Sequence, residues 1–131
     1  MIILLDRVLW TMANQNAKGI KRIINACVFS IAGFKATWCH EEAFRQEVIL
    51  AVVGIPAALW LTDDSVERVL LIMSLLIVLL TELINSAIEA VVDRIGLEHH
   101  ELSGRAKDIG SAAVMLSLGV AAMTWAMILI K

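Results

Sequence analysis

Charge is scarce in this chain: 18% of its 131 residues are Asp, Glu, Lys or Arg, against 60% hydrophobic, and proline occurs once. A soluble domain of this length needs far more polar residues to cover its surface, so a separate water-soluble catalytic unit is excluded. Any chemistry must occur in or beside a bilayer. Neither sign of charge dominates, 11 Lys and Arg standing against 13 Asp and Glu, which argues against nucleic acid as a partner. The two cysteines, Cys27 and Cys39, make no disulfide framework. Cys39 and His40 beside Glu41 and Glu42 resemble part of a zinc cluster, but no second ligand pair at zinc-site spacing follows, which leaves reduced thiols near the cytosolic face. There is no glycine-rich phosphate loop, neither G-x-x-x-x-G-K-[ST] nor G-x-G-x-x-G. Nor is there a cleavable signal: residues 1–10 are apolar but broken by Asp6 and Arg7, without a small-residue cleavage pattern. Met12 opens a second start, MANQNAKG, and residues 1–11 are expected to be an extension with no functional part.

The pattern that remains is all-α. Residues 18–38 set Ile20, Ile23, Ile24, Cys27 and Ile31 on one helical face and Lys18, Lys21, Arg22 and Asn25 across from it. Such a basic amphipathic helix is expected to lie on the membrane surface. Three further helices follow, over 42–61, 66–95 and 109–130, each including a span of about 20 residues. Pro56 is expected to kink the first, and Trp60 to mark the far interface. Asp63 or Ser65 is available to cap the second, and Gly96 to stop it before a polar linker over 94–107. The cations Lys18, Lys21, Arg22, Lys35, Arg94, Arg105 and Lys107 fall in the surface helix and the second linker, whereas the acidic turn over 62–68 offers Arg68 alone and Lys131 finishes outside. By the positive-inside rule the N-terminus is cytosolic and the C-terminus external. Trp38, Trp60 and Trp125 read as interfacial anchors, and Ala112, Ala113, Ala121 and Ala122 as close helix packing.

One stretch of the second span breaks the apolar rule. In LTELINSAIEAVVDRIG, residues 80–96, Glu82, Asn85 and Glu89 fall at i, i+3 and i+7 and share a stripe. An ionised side chain in hydrocarbon costs at least about 2.5–3.5 kcal/mol, so such residues face protein, water or a ligand. Glu82 sits roughly 9 Å inside the cytosolic boundary at 1.5 Å per residue. A polar clamp between helices is the alternative. Three spans offer one chain little interior to hide this stripe, so the expectation is an oligomer in which it faces a neighbouring helix or shared cleft. Glu41 and Glu89, at the cytosolic ends of adjacent helices, are the hard oxygen ligands magnesium prefers when phosphates fill its other positions. Lys107, Arg22 and Asn85 are near enough in topology to meet phosphate oxygens. A metal, cations and a carboxylate aimed at a hydroxyl are the parts of phosphoryl transfer, and Glu82, the deepest acid, is the candidate base.

At these residues the chain resembles the prokaryotic integral-membrane diacylglycerol kinases. EEAFRQE at 41–47, INSAIEAVVDRIG at 84–96 and HELSGRAKDIGSAAV at 100–114 look like that family's blocks, and the likeness runs from Met12 onward. The resemblance implies a homotrimer in a bacterial inner membrane that converts ATP and diacylglycerol to ADP and phosphatidate at the cytosolic surface. It implies Glu82 as general base and Glu41 and Glu89 as magnesium ligands. Arg22, Phe29, Ser30, Glu41, Asn85, Glu89, Glu98, His99, His100, Lys107 and Asp108 then fall at nucleotide-contacting positions. Ala43, Phe44, Arg45, Gln46, Glu47, Arg68, Glu82, Ser111 and Trp125 fall at lipid-lining ones. Phe29 and Ile31 stand where relatives carry tyrosine and tryptophan, so Phe29 can stack on a base but donates no hydrogen bond.

One related reading and one from another class stay open on the residues. A kinase of undecaprenol shares this architecture, and a small proton-coupled transporter would use Glu82 to bind and release a proton as helices rock. A purely structural membrane protein is the third, and predicts that Glu82 and Glu89 can be neutralised without loss of any turnover.

Overall fold

A computed structural model describes residues 17–96, 98 and 100–130. Leu97, His99, Lys131 and residues 1–16, with the extension expected before Met12, lie outside the described residues. Among these the chain is all helical: α1 (Ile20–His40), α2 (Glu42–Leu61), α3 (Ser65–Ile95) and α4 (Glu101–Leu129). It divides into two compact units, residues 1–36 and 37–131.

In the first unit Gly19 adopts φ 61°, the left-handed region that only glycine enters at no steric cost, and its carbonyl accepts from the Arg22 N–H at 3.1 Å. The chain thereby turns into α1, which buries none of its residues. Ile20, Ile23, Ile24, Ile31 and Phe34 are all exposed along it. α1 ends where Glu41 becomes extended, at φ −108° and ψ 117°, and the Glu41 N–H still donates to the Thr37 carbonyl at 2.8 Å. Glu41 stands at the N-cap of α2 yet its side chain makes no capping bond, which leaves the carboxylate available for other work.

The second unit holds three helices long and apolar enough to cross a membrane. α3 packs on both α2 and α4. Its buried stripe is Leu71, Ser74, Leu75, Val78, Glu82, Asn85 and Ser86, which repeats at steps of three and four. α2 answers with Phe44, Glu47, Ala51, Gly54 and Ala58, and α4 with Gly110, Ser117 and Ala121. Most facing positions are small, because helices in lipid gain by close approach rather than by leaving water. Ser74 and Ser117 satisfy their hydroxyls within their own helices, donating to Leu71 and Val114 carbonyls at 2.8 and 2.7 Å. Of the four alanines expected at helix contacts, Ala121 is buried, while Ala112, Ala113 and Ala122 are exposed. α2 runs through Pro56 as one helix.

The α2–α3 turn is fastened by side chains. Asp64, rather than Asp63 or Ser65, caps α3: its Oδ1 accepts from the N–H groups of Val66 and Glu67 at 2.8 and 3.0 Å. Asp63 is held by Arg68, whose guanidinium also donates to the carbonyls of Thr62 and Leu59 at 2.7 and 2.9 Å. Asp64→Ala is expected to lower stability by about 1 kcal/mol, the usual worth of an N-cap. Chemical unfolding in detergent reads this, and an unchanged midpoint would mean that Arg68 alone fixes the turn. At the other end α3 continues to Ile95, and α4 starts at Glu101, well before the apolar stretch that begins at Ile109. His100 caps α4 through Nδ1, which accepts from the Leu102 N–H at 3.2 Å. A helix does not stop at the hydrocarbon boundary, so most of the stretch over 94–107 is helical. Gly96 ends α3 in extended backbone.

Candidate active site

The start of α2, the end of α3 and the start of α4 lie at one end of the second unit, and Glu41, Glu47, Glu82, Glu89 and Asp93 belong to these segments. Glu82 is 4% exposed, Glu47 8% and Asn85 9%, so two carboxylates and an amide are enclosed by one chain. Glu82 and Asn85, expected to face a neighbouring helix or shared cleft of an oligomer, are enclosed between the chain's own helices, and Glu89 is half-buried. Glu41 and Glu89 both act through space on the Glu82 charge, and Glu82 acts on Glu47. Four carboxylates thus share one neighbourhood. Like charges this close are unfavourable unless a cation or protons offset them.

Asn85 holds the shallower acid, its Nδ2 donating to Glu89 Oε1 at 3.1 Å, while Asn85 Oδ1 is buried without a partner. Glu47 Oε2 and Ser86 Oγ are likewise buried and unpaired. Such orphaned oxygens are the groups a ligand satisfies on arrival. Across from them Lys107 Nζ lies 2.6 Å from Asp93 Oδ1, tying α4 to α3. Lys107 precedes the apolar stretch; the hydrogen bond it donates to Asp93 raises its pKa above the ordinary lysine value, so it remains a cation. Glu89 and Glu41 lie within its electrostatic reach.

No group of three or more His, Cys, Asp or Glu side chains converges on one point among the described residues. Magnesium takes one or two protein carboxylates and fills its octahedron with water and phosphate oxygens. Glu41 and Glu89 offer that set of hard oxygen donors.

Not every candidate joins this cluster. Asp108 and Ser111 lie on the outward face of α4, Ala43 and Gln46 on the outward face of α2, and Glu98 is exposed in the α3–α4 connection. Phe44 is buried with Glu47, and Arg45 Nη1 donates to the Trp38 carbonyl at 2.9 Å. Arg68 is committed to the α2–α3 turn at the opposite end of α3 from Glu82. Trp125 borders an apolar groove of about 530 Å³ with Leu50, Val53, Gly54 and Leu75. Arg22, Phe29 and Ser30 are exposed on α1 in the first unit, and His99 lies outside the described residues. Three residues of the neighbourhood escaped the sequence reading of function. Ser86 is one turn beyond Glu82 and could have been read from that spacing, Asp93 sits where an acid at the polar end of a helix finds a cation, and Gly110 carried no signal beyond being glycine.

Fold and site together define an all-helical membrane protein whose buried carboxylates and one lysine are collected at one end of three spans. Residues 28–129 match the family of prokaryotic diacylglycerol kinases, and the chain belongs to that family. It is 53% identical over 118 residues to the diacylglycerol kinase of Escherichia coli K12, covering 90% of this chain and 96% of that protein. Against the diacylglycerol kinase of Pseudomonas aeruginosa PAO1 the identity is 54% over 112 residues, 86% and 91% of the two chains. For that of Haemophilus influenzae it is 47% over 111 residues, 85% and 94%.

Proposed function

We propose that this chain is an ATP-dependent diacylglycerol kinase of the bacterial cytoplasmic membrane, transferring the γ-phosphoryl group to the free hydroxyl of diacylglycerol. Phosphatidate and ADP are the products. The observation that carries the reading is Glu82, an enclosed acid on a spanning helix within electrostatic reach of Glu41 and Glu89, which Lys107 in turn reaches, in a chain of this family. α1 lies on the cytosolic membrane surface, the C-terminus is external and the working unit is a homotrimer.

Glu82 takes the proton of the lipid hydroxyl as its oxygen bonds to the γ-phosphorus and the bond to the β,γ-bridging oxygen breaks. Glu41 and Glu89 would hold magnesium, which with ATP would supply charge neutralisation at the phosphate oxygens. Lys107 turns from Asp93 towards the same oxygens, and Asn85 keeps Glu89 oriented. Arg22, Phe29, Ser30, Glu98, His99, His100 and Asp108 complete the nucleotide contacts. Ala43, Phe44, Arg45, Gln46, Glu47 and Ser111 line the lipid headgroup's approach, Trp125 meets an acyl chain in the apolar groove, and Arg68 serves lipid at the far end of the bundle.

The test is turnover by purified protein in lipid or detergent with ATP and magnesium, offered diacylglycerol and undecaprenol in parallel. Phosphatidate formation supports the reading. Folded protein that phosphorylates only undecaprenol, or neither lipid, overturns it. Glu89→Ala gives a second check. Even residues that merely orient a metal ligand are worth about 10–100-fold in metal affinity or activity, so losing the ligand should raise the magnesium requirement at least that far. Added magnesium should restore part of the rate, and indifference to metal concentration would remove Glu89 from the ligand set.

A further inference from the structure

Three glycines lie on α4, and only one of them is under steric constraint. A Cβ built at Gly104 or Gly119 meets nothing within 4 Å. One built at Gly110 collides with Asn85 Oδ1 and comes within 3.3 Å of Asn85 Cγ and 3.9 Å of its Cα. Glycine is the poorest helix former after proline, so at an open helical position alanine would serve better. At Gly110 the close approach of the two helices decides the matter.

A collision with a side-chain tip is often relieved by a rotamer change, as at Gly54, where the nearest atom is Leu75 Cδ1 at 2.6 Å. Asn85 lacks that freedom. Its Nδ2 is held by Glu89 Oε1 at 3.1 Å, its Oδ1 faces the Gly110 backbone, and the residue is buried in the α3 stripe. Turning the amide away from α4 breaks the bond to Glu89 or drags that carboxylate with it.

We propose that Gly110 is a positioning residue: the missing side chain sets the orientation of the Asn85 amide and, through its N–H, the Glu89 carboxylate. The inference rests on the reading of Glu89 as a magnesium ligand and adds to it the device that orients the ligand. Carboxylates that bind metal are themselves hydrogen-bonded, and loss of such a partner lowers metal affinity by about 10–100-fold.

The experiment compares wild type, Gly110→Ala, Gly119→Ala, Asn85→Ala and the Gly110→Ala/Asn85→Ala double variant. The magnesium concentration for half-maximal binding of a non-hydrolysable ATP analogue is read by calorimetry, and the ligand-free melting temperature is read beside it. Gly110→Ala is expected to raise the magnesium requirement about 10-fold or more. In turnover, the rate at saturating magnesium should fall less than the affinity. Gly119→Ala should match wild type.

In the Asn85→Ala background the Gly110→Ala change should add nothing, because the atom it strikes is gone. For the same reason, any drop in melting temperature caused by Gly110→Ala should be recovered in the double variant. Wild-type magnesium dependence in Gly110→Ala, or effects that simply add in the double variant, would overturn the proposal. Wild-type protein that binds no magnesium–nucleotide would instead overturn the reading of the site on which it rests.

Discussion

Glu82→Gln is expected to lower kcat by about a hundred- to ten-thousand-fold, the contribution of a general base, while the protein stays folded and still binds nucleotide. The substitution keeps the size of the side chain and its capacity for hydrogen bonds, and removes the ability to take the hydroxyl proton. Its effect on stability should run the other way. Glu82 is enclosed by the chain and lies within reach of Glu41, Glu47 and Glu89, so one neutral amide among them removes repulsion. Melting temperature should hold or rise as turnover collapses. Phosphatidate formation and thermal unfolding, measured on the same preparation, check both halves. Undiminished turnover would place the base elsewhere. Intact lipid phosphorylation with loss of proton-coupled flux in vesicles would favour the transporter.

That opposition between stability and activity separates a catalytic acid from a polar clamp. In a clamp the carboxylate would have donors around it, and its neutralisation would loosen the helices. Here the nearby polar oxygens of Glu47 and Ser86 are themselves unpaired, and Asn85 gives its N–H to Glu89 instead. Buried and unpaired, the Glu47 and Asn85 oxygens and the Ser86 hydroxyl cost stability until cations or hydrogen-bonding groups of a ligand meet them.

Much of this was legible in the letters because lipid simplifies the code. Three apolar runs and a carboxylate stripe at helical spacing suffice to locate the spans and the face that carries Glu82, Asn85 and Glu89. Helix ends were harder. Asp63, Asp64 and Ser65 can each cap, and the choice of Asp64 follows from Arg68 taking Asp63, a contact made only after the turn has closed. The start of α4 at Glu101 was hidden because apolar length reports the membrane and not the helix. The enclosure of Glu82 within one chain depends on how near α4 comes to α3. That distance is set by Gly110, and composition gives no sign of it. The alanines at 112 and 113 look like packing residues from spacing, yet they are exposed, whereas Ala122 lines the groove beside Gly54 and Leu75.

What those outward residues face leads to the second large effect. Lys107 reaches Glu41 and Glu89 within its own chain, whereas Asp108, the next residue on α4, points away from that cluster. If Asp108 contacts nucleotide in a homotrimer, it does so in a neighbour's site. Mixing inactive Glu82→Ala chains with inactive Asp108→Ala chains should then regenerate activity. In random trimers half the chains supply each intact residue, so about a quarter of the sites recover both in a closed symmetric ring. Mixing Glu82→Ala with Lys107→Ala should regenerate none, since both residues are drawn from one chain. Co-purification through two different tags verifies that mixed trimers form, and phosphatidate formation reads the outcome. Recovery with Lys107→Ala in place of Asp108→Ala would mean that the deep acid of one subunit serves the cation and carboxylates of another. Silence from both mixtures would confine each site to a single chain and remove Asp108 from the nucleotide.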